Sequence, residues 1–469
     1  MKRQFTWILA LSMMGFLTPS AFGQTSTFTR TIGGTKAENS YSIKRTPDGG
    51  YITAGYTESA GSGKKDALLI RTDGLGQVLW TKAYGGSGDD AAWEVIVSPD
   101  SGYVVAGTSN SNSKGVDNAM VFKTDKTGKL LWTRQFSSDS VEDAYNIING
   151  RGGFFYVSGF VRTDTTGDDA FVAKLSSTGV VSWYSRLGSP GNEESYGLTE
   201  DSKGEVVICG ITTYDSITNG GLTGNAGNSD MFVAKLKSDG QLRWMQTYGT
   251  PLDDVAWDIK ADKGNYIVGG WLSLSSNDKD AAVLIIDTTG KLIYQNHYGT
   301  FGTERAFHVL VNSNSYSLTG YTDFTGNNRS VFLMNIDAKG ALNDIDAYGS
   351  LGKDGHWPTE VIRGVDGGYT MLSTSNSHNK DGQDDLYMIK VDDNGSSSCD
   401  GAFELFNTST PNFTSKLFGQ SNTTYSSSTL SLTTTNITTI KDSTICCKLV
   451  AQISAPTLTV CTGDRVSLG

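Results

Sequence analysis

Seven carboxylates recur at one fixed place in a repeating phrase: Glu38, Asp90, Glu142, Glu193, Asp254, Glu304 and Asp354. Gathered at the mouth of a channel, seven acids could bind a cation or a basic ligand. A group present in every copy also fits a plainer role, accepting backbone N–H bonds in a turn that each copy repeats, and the regularity favours that structural role. The adjacent acids Asp89 and Asp90, or Asp253 and Asp254, are the residue types of glycoside hydrolysis. Neighbours on a strand point to opposite faces, so a working pair would have to be assembled from different copies. His297, His308, His356 and His378 show no metal-binding spacing, although His308 and His356 stand in adjacent copies and could approach one another. With no G-x-S-x-G elbow, P-loop or dinucleotide fingerprint, the expectation is no catalytic residue, no metal site and no cofactor.

The phrase that carries the acids runs through most of the chain. An aromatic or aliphatic anchor precedes a small-residue pair at Ile32, Tyr84, Phe136, Leu187, Tyr248, Tyr298 and Tyr348. The spacings are 52, 52, 51, 61, 50 and 50 residues, a period that marks propeller blades or solenoid turns. The carboxylate stands six residues after each anchor and an aromatic nine after it: Tyr41, Trp93, Tyr145, Tyr196, Trp257, Phe307 and Trp357. An apolar run follows ("GGYITAGYT", "SGYVVAGTS"), then another ("DALLIRTD", "NAMVFKTD"), then a turn Gly and a run through Trp80, Trp132, Trp183 or Trp244 to the next anchor. Four short strands in about fifty residues make one antiparallel blade, so the fold expected is an all-β, seven-bladed propeller. Both aromatic series are read as packing between blades.

The last copy lacks its fourth strand, and the first is preceded by a spare one. "STFTRTIGG" (26–34) aligns with "VLWTKAYGG" (78–86), Phe28 standing where Trp80 stands. The N-terminal strand is therefore expected to complete blade seven and close the ring.

Four segments are expected. Residues 1–23 read as a signal peptide, with Lys2 and Arg3, an apolar run from Trp7 to Leu17, and a small-residue cleavage site. Residues 24–398 hold the propeller. Residues 399–450, rich in Ser and Thr and bracketed by Cys399 and the pair Cys446 and Cys447, read as a small disulfide-pinned β appendage. Residues 451–469 read as the start of a further Ig-like module. Cys209 lies in an apolar strand and is expected to be a buried free thiol. No segment reaches the roughly 20 apolar residues a spanning helix requires, so no membrane insertion is expected. The net charge of -11, without a basic stripe, argues against a nucleic-acid partner.

The copies disagree most between their second and third strands. Six of them place ten to twelve residues there and the fourth places twenty, the insertion being "ITTYDSITNGGLTGNAGNS" (211–229). Insertions confined to one face of a repeat protein often mark its binding face. Tyr56, Phe160, Tyr214, Trp271, Tyr321 and Phe324 stand in or just before these loops and are the residues expected to stack on a ligand.

The form "YGG...DDAAW...GGYIVAGYT...DALLIKTD..G..LW" resembles the secreted propeller-repeat proteins of the Bacteroidetes group. "TVCTGDRVSLG" is similar to the opening of the PKD/Ig-like modules that often follow, and such proteins commonly end in a type IX secretion sorting domain, which this sequence does not show. The resemblance implies export and a secreted or cell-surface location, but no single activity. "TDKTGKLLW" (124–132) is in part similar to the docking motif of quinoprotein dehydrogenase propellers; its Asp is misplaced by one residue and several blades lack the Asp or the Trp.

The reading is a non-catalytic binding or adhesion propeller that recognises a glycan or protein at the cell surface through the B-to-C loop face. The alternatives are an exported carbohydrate-active hydrolase or lyase, and an architectural spacer.

Overall fold

The computed structural model describes residues 26–396 except 112–115, 137–139, 164–166, 215–228, 276, 301, 324–328, 350–353 and 377–381. Beyond residue 396 it describes the backbone of short strands between 407 and 460, and within 354–359 the backbone alone. Seven antiparallel sheets form the ring, and no helix occurs among the described residues. Each blade has an inner strand A: Glu38–Arg45, Asp90–Val97, Glu142–Gly150, Glu193–Glu200, Asp254–Asp262, Glu304–Val311 and Asp354–Arg363. Strands B and C, such as Tyr51–Thr57 and Asp66–Thr72 in blade one, are buried at all positions but Tyr56 because neighbouring blades cover both faces. That double burial is why these runs are apolar without alternation.

The outer strand D is fastened to the next blade by its aromatics. The hydroxyls of Tyr84 and Tyr248 donate to the carbonyls of Gly128 and Gly290, at 2.6 and 2.5 Å. Tyr298 and Tyr348 repeat the bond on Gly340 and Gly395. The indoles of Trp183 and Trp244 donate to Ser238 and Thr288 carbonyls at 3.0 and 3.1 Å. Each accepting carbonyl belongs to a C–D turn, where an Asp such as Asp73 caps two N–H groups and the glycine takes a positive φ, 74° at Gly76. At the same end of the blade, a basic residue of strand C reaches the A–B turn: Lys123 to Asp100 at 2.6 Å and Lys390 to Asp366 at 2.7 Å.

Ser26–Gly33 closes the ring. It pairs antiparallel with the third strand of blade seven, Phe28 opposite Lys390 and Ile32 opposite Leu386. Phe28 and Ile32 are buried, and Arg30 Nε donates to Leu75 of blade one at 2.7 Å, the same reach into the next C–D turn.

The described strands of the Cys-bounded segment lie along the rim. Asn407–Ser409 pairs with the outer strand of blade five, Thr414–Leu417 with blade four, Ser427–Ser428 with blade two and Thr433–Asn436 with blade one. Lys441–Leu449 then lies along the closing strand, from Gly33 opposite Lys441 to Ser26 opposite Leu449. The segment travels around the ring in the reverse of blade order and covers strand edges that would otherwise be open to pairing. Thr459–Val460 pairs with Cys447 and Lys448. The side chains of Cys399, Cys446 and Cys447, and most of 451–469, lie outside the described residues.

Candidate functional site

Each inner strand begins with the repeated acid, placed to cap the turn that delivers it. Gly86 N–H donates to Asp90 at 2.8 Å, Ser189 N–H to Glu193 at 2.6 Å and Thr300 N–H to Glu304 at 2.9 Å, with Gly34 and Thr250 doing the same for Glu38 and Asp254. The other carboxylate oxygen takes a Thr hydroxyl from strand B, Thr212 at 2.6 Å and Thr322 at 2.7 Å. These acids are buried, and burial raises Glu193 and Glu304 and pushes Asp254 up to about 7. Glu142 is buried as well, and the side chain of Asp354 lies outside the described residues. The D–A turns also meet the B–C loops: Ser59 and Ser111 hydroxyls accept N–H bonds from Thr35 and Gly86. These two sets of loops therefore share one face.

Three residues further along, every described inner strand carries a β-bulge. The pairing with strand B passes from Ser40 to Ser42, Ala92 to Glu94, Ala144 to Asn146, Ser195 to Gly197, Ala256 to Asp258 and Ala306 to His308. The residue left out is the aromatic each time. A bulge re-aims a side chain and bends its strand, and here it turns six aromatics into a collar. Ring centroids lie 4.5 Å apart from Tyr41 to Trp93, 5.8 Å from Trp93 to Tyr145, 5.4 Å from Tyr145 to Tyr196, 4.4 Å from Tyr196 to Trp257 and 5.2 Å from Trp257 to Phe307. The side chain of Trp357 lies outside the described residues.

The aromatics expected to stack on a ligand stand behind this collar. Tyr56 packs on Tyr41, Phe160 on Tyr145, Trp271 on Trp257 and Phe307, and Tyr321 on Phe307, with centroids 5.5 to 6.1 Å apart. Arg305 lies over both Trp271 and Tyr321. Phe160, Trp271 and Tyr321 are buried, at 5%, 4% and 2% exposure, so their faces are spent inside the protein and offer a sugar no platform. Tyr56 and Tyr214 are half-buried; Phe324 and most of the insertion, 215–228, lie outside the described residues.

Immediately past the collar, the copies stop agreeing. The next residues are Ser42, Glu94, Asn146, Gly197, Asp258 and His308, and a second register shift in blade seven, between His356 and Glu360, brings Glu360 into the same layer. Two residues beyond Ser42 and Asp258 stand Lys44 and Lys260. Lys44 Nζ reaches Glu94 Oε1 at 2.5 Å and also Glu360, and so bridges blades one, two and seven. Lys260 pairs with Asp258 at 2.6 Å. Two of the acids also take a backbone N–H from the following blade: Val309 donates to Asp258 at 2.9 Å and Ile43 to Glu360 at 2.6 Å.

Glu94 is different. Its ion pair among the described residues is with Lys44, which it shares with Glu360. Burial, and then repulsion from Glu360, push its carboxyl up to about 7 against the pull of Lys44. For Asp258 and Glu360 burial acts in the same direction but Lys260 and Lys44 outweigh it, and both are held below the usual range. Burial pushes His308 down to about 4, so its imidazole is neutral at pH 7. It stands 3.4 Å from Glu360 and 3.6 Å from Asp258, and its buried Nδ1 has no hydrogen-bond partner.

These groups line a cavity of about 620 Å³, within the roughly 300–1,000 Å³ range of small-ligand sites. The collar is one boundary; the mouth is formed by Arg45, Val97, Asn149, Glu200 and Arg363, at the ends of inner strands beside the A–B turns. The cavity therefore opens on the face opposite the B–C loops.

Elsewhere, His297 is paired with Asp280, and the side chains of His356 and His378 lie outside the described residues. No group of three or more His, Cys, Asp or Glu suited to a metal ion occurs among the described residues. Cys209 is free and buried, and burial raises its thiol pKa. No described helix is long and apolar enough to cross a membrane.

No protein-family model matches the chain, and no curated protein matches it. Among solved structures, Sqt1 from Chaetomium thermophilum is similar at 10% identity and a TM-score of 0.42, covering 79% of this chain and 99% of its own. A member of the DUF4221 family from Bacteroides vulgatus is similar at 13% identity and a TM-score of 0.32, covering 63% of this chain and 90% of its own. Similarity at this level assigns no activity.

Reasoning from sequence passed over Lys44, Glu94, Asp258, Lys260 and Glu360, and it weighed His308 only as a metal ligand. The signal was present in the residue after each aromatic, which reads Ser, Glu, Asn, Gly, Asp and His where its neighbours repeat.

Proposed function

We propose that this chain is an exported or cell-surface recognition propeller that holds a glycan residue in the channel cavity and does not turn it over. The observation that carries this reading is the meeting of partly exposed aromatic faces (Trp93, Tyr145, Tyr196 and Trp257) with polar groups at a layer of the inner strands where the copies diverge. Sugar sites commonly join a flat apolar face to a few fixed hydrogen-bonding groups. The N-terminal export signal supports the location.

One observation favours a second reading, an exported hydrolase or lyase. Glu94 is raised and Glu360 lowered, a split that suits a proton donor and its partner. The geometry weighs against it, because Lys44 occupies the space between the two carboxyls in which a scissile bond would have to lie.

Polysaccharide binding by the full chain, with reducing-sugar release followed in the same samples, separates the two. Binding without release is expected. Release of sugar that Glu94→Gln abolishes would replace recognition by catalysis.

A further inference from the structure

Charge in the channel layer narrows the ligand class, and this step rests on the reading of the cavity as the ligand site. Three carboxyls, the half-buried Glu94 and the buried Asp258 and Glu360, face two ammonium groups, Lys44 and Lys260, while His308 is neutral at pH 7. Blades three and four contribute the uncharged Asn146 and Thr199 to the same wall. Arg45 and Arg363 are exposed at the rim, where solvent screens them, and Glu200 lines the same rim from blade four. One carboxyl is thus left in excess. Glu94 is the one, since Asp258 and Glu360 each have a backbone donor as well as a lysine.

We infer that the cavity takes a protonated amine carried by an amino-sugar residue, with its ammonium against Glu94 and its ring against the aromatic collar. A half-buried carboxyl that shares its counter-ion holds its proton more tightly than a solvated one; an arriving ammonium supplies the missing charge. The ligand enters as R–NH₃⁺, the carboxyl ionises, and its proton leaves to solvent, so no charge is created in the cavity. The collar favours the same ligand, because the π faces of Trp and Tyr attract an organic cation. Among the described residues no Lys or Arg of the chain lies over the rings of Trp93, Tyr145 or Tyr196. An anionic sugar meets the reverse situation, since both lysines are already paired.

The test is calorimetric titration of the full chain at pH 7 with a glucosamine oligomer, its N-acetylated counterpart, a neutral glucan oligomer of equal length and a lysine-rich peptide. Two buffers of different ionisation heat report proton release. The free amine should bind at least tenfold more tightly than the N-acetylated and neutral oligomers, releasing up to about half a proton per site, since a carboxyl raised to about 7 is half ionised at pH 7. Glu94→Gln should lose at least tenfold for the amine, and the proton release with it, while its thermal unfolding stays cooperative. Equal affinity for the acetylated or neutral oligomer overturns the amine inference and leaves cavity recognition standing. Binding of the peptide alone overturns the amino-sugar assignment. Binding of no oligomer, or binding that Asn149→Trp at the mouth leaves unchanged, overturns the cavity reading itself.

Discussion

On one and the same strand of each blade, the carboxylate near the start and the side chain after the bulge lie a few residues apart and obey different rules. The first is an acid in every copy, and its bonds stay within its own blade: a turn N–H and, where described, a strand-B hydroxyl. The second is a different residue in nearly every copy, and where it is an acid it is also held from another blade: Glu94 and Glu360 by Lys44, and Asp258 by the N–H of Val309. Repetition marks what each blade needs in order to be a blade. Divergence at a buried, polar, ring-shaped layer marks what the assembled ring does, because a charged group there stabilises nothing that a repeated apolar residue would not stabilise better.

That contrast can be broken most severely at the closure. Deleting residues 26–33 removes Phe28 and Ile32 and unpairs the strands on both sides. Loss of cooperative unfolding and of soluble monomer is expected by circular dichroism and gel filtration. A ring that still unfolds cooperatively would mean the closing strand is dispensable.

Lys44→Met should come next, at about 3 kcal/mol in denaturant titration, because it strands the buried Glu360 and the half-buried Glu94 on different blades. Glu193→Ala in the repeated layer should cost about 2 kcal/mol by leaving Ser189 N–H and the Ser189 and Thr212 hydroxyls without their acceptor. Its ligand affinity should be unchanged, whereas the channel variants change affinity.

Glu94→Gln separates the layers by pH. In the unfolded chain this carboxyl ionises near 4.5, and in the folded protein near 7. The folded state therefore holds the extra proton between these values, and the favourable contribution present below pH 4.5 is lost as pH rises through 7. The wild type should lose up to about 3 kcal/mol over that window on account of Glu94, and the Gln variant should lack this part of the slope. Asp254, also raised to about 7, keeps its share in both proteins, and His308, depressed to about 4, opposes it between about 4 and 6.5 in both. Equal slopes in the two proteins would place Glu94 in an ordinary solvated setting. Smallest of all, Tyr248→Phe removes one hydroxyl bond to the next blade and should cost about 1 kcal/mol with no effect on binding.

Much of the scaffold was legible in the sequence because it is written several times over. The seven anchors gave the blades, the turn glycines gave the C–D corners, and the match of Phe28 to Trp80 gave the closure that the register confirms. The channel site was not legible, for a local reason. Strict alternation holds only along a regular strand, and the bulge at each aromatic breaks it, so that residues expected to face apart, such as Trp93 and Glu94, line one cavity. The same regularity misdirected the reading of Trp271 and Tyr321: aromatics at loop edges look exposed in sequence, but a collar of aromatics on the inner strands gives them something to pack against. The path of residues 407–449 around the rim could not be read either, since short Ser- and Thr-rich strands take their register from the edges they meet.

The central claim is that the ligand enters the channel from the A–B face and does not dock on the B–C loops. It is tested most directly by measuring glycan binding on one array for three proteins: the wild type, a variant with residues 214–227 shortened, and Asn149→Trp at the cavity mouth. The loop-shortened protein is expected to bind as the wild type does, and Asn149→Trp to lose binding at least tenfold. Retained binding by Asn149→Trp together with loss in the loop-shortened protein would contradict it and return the site to the B–C face.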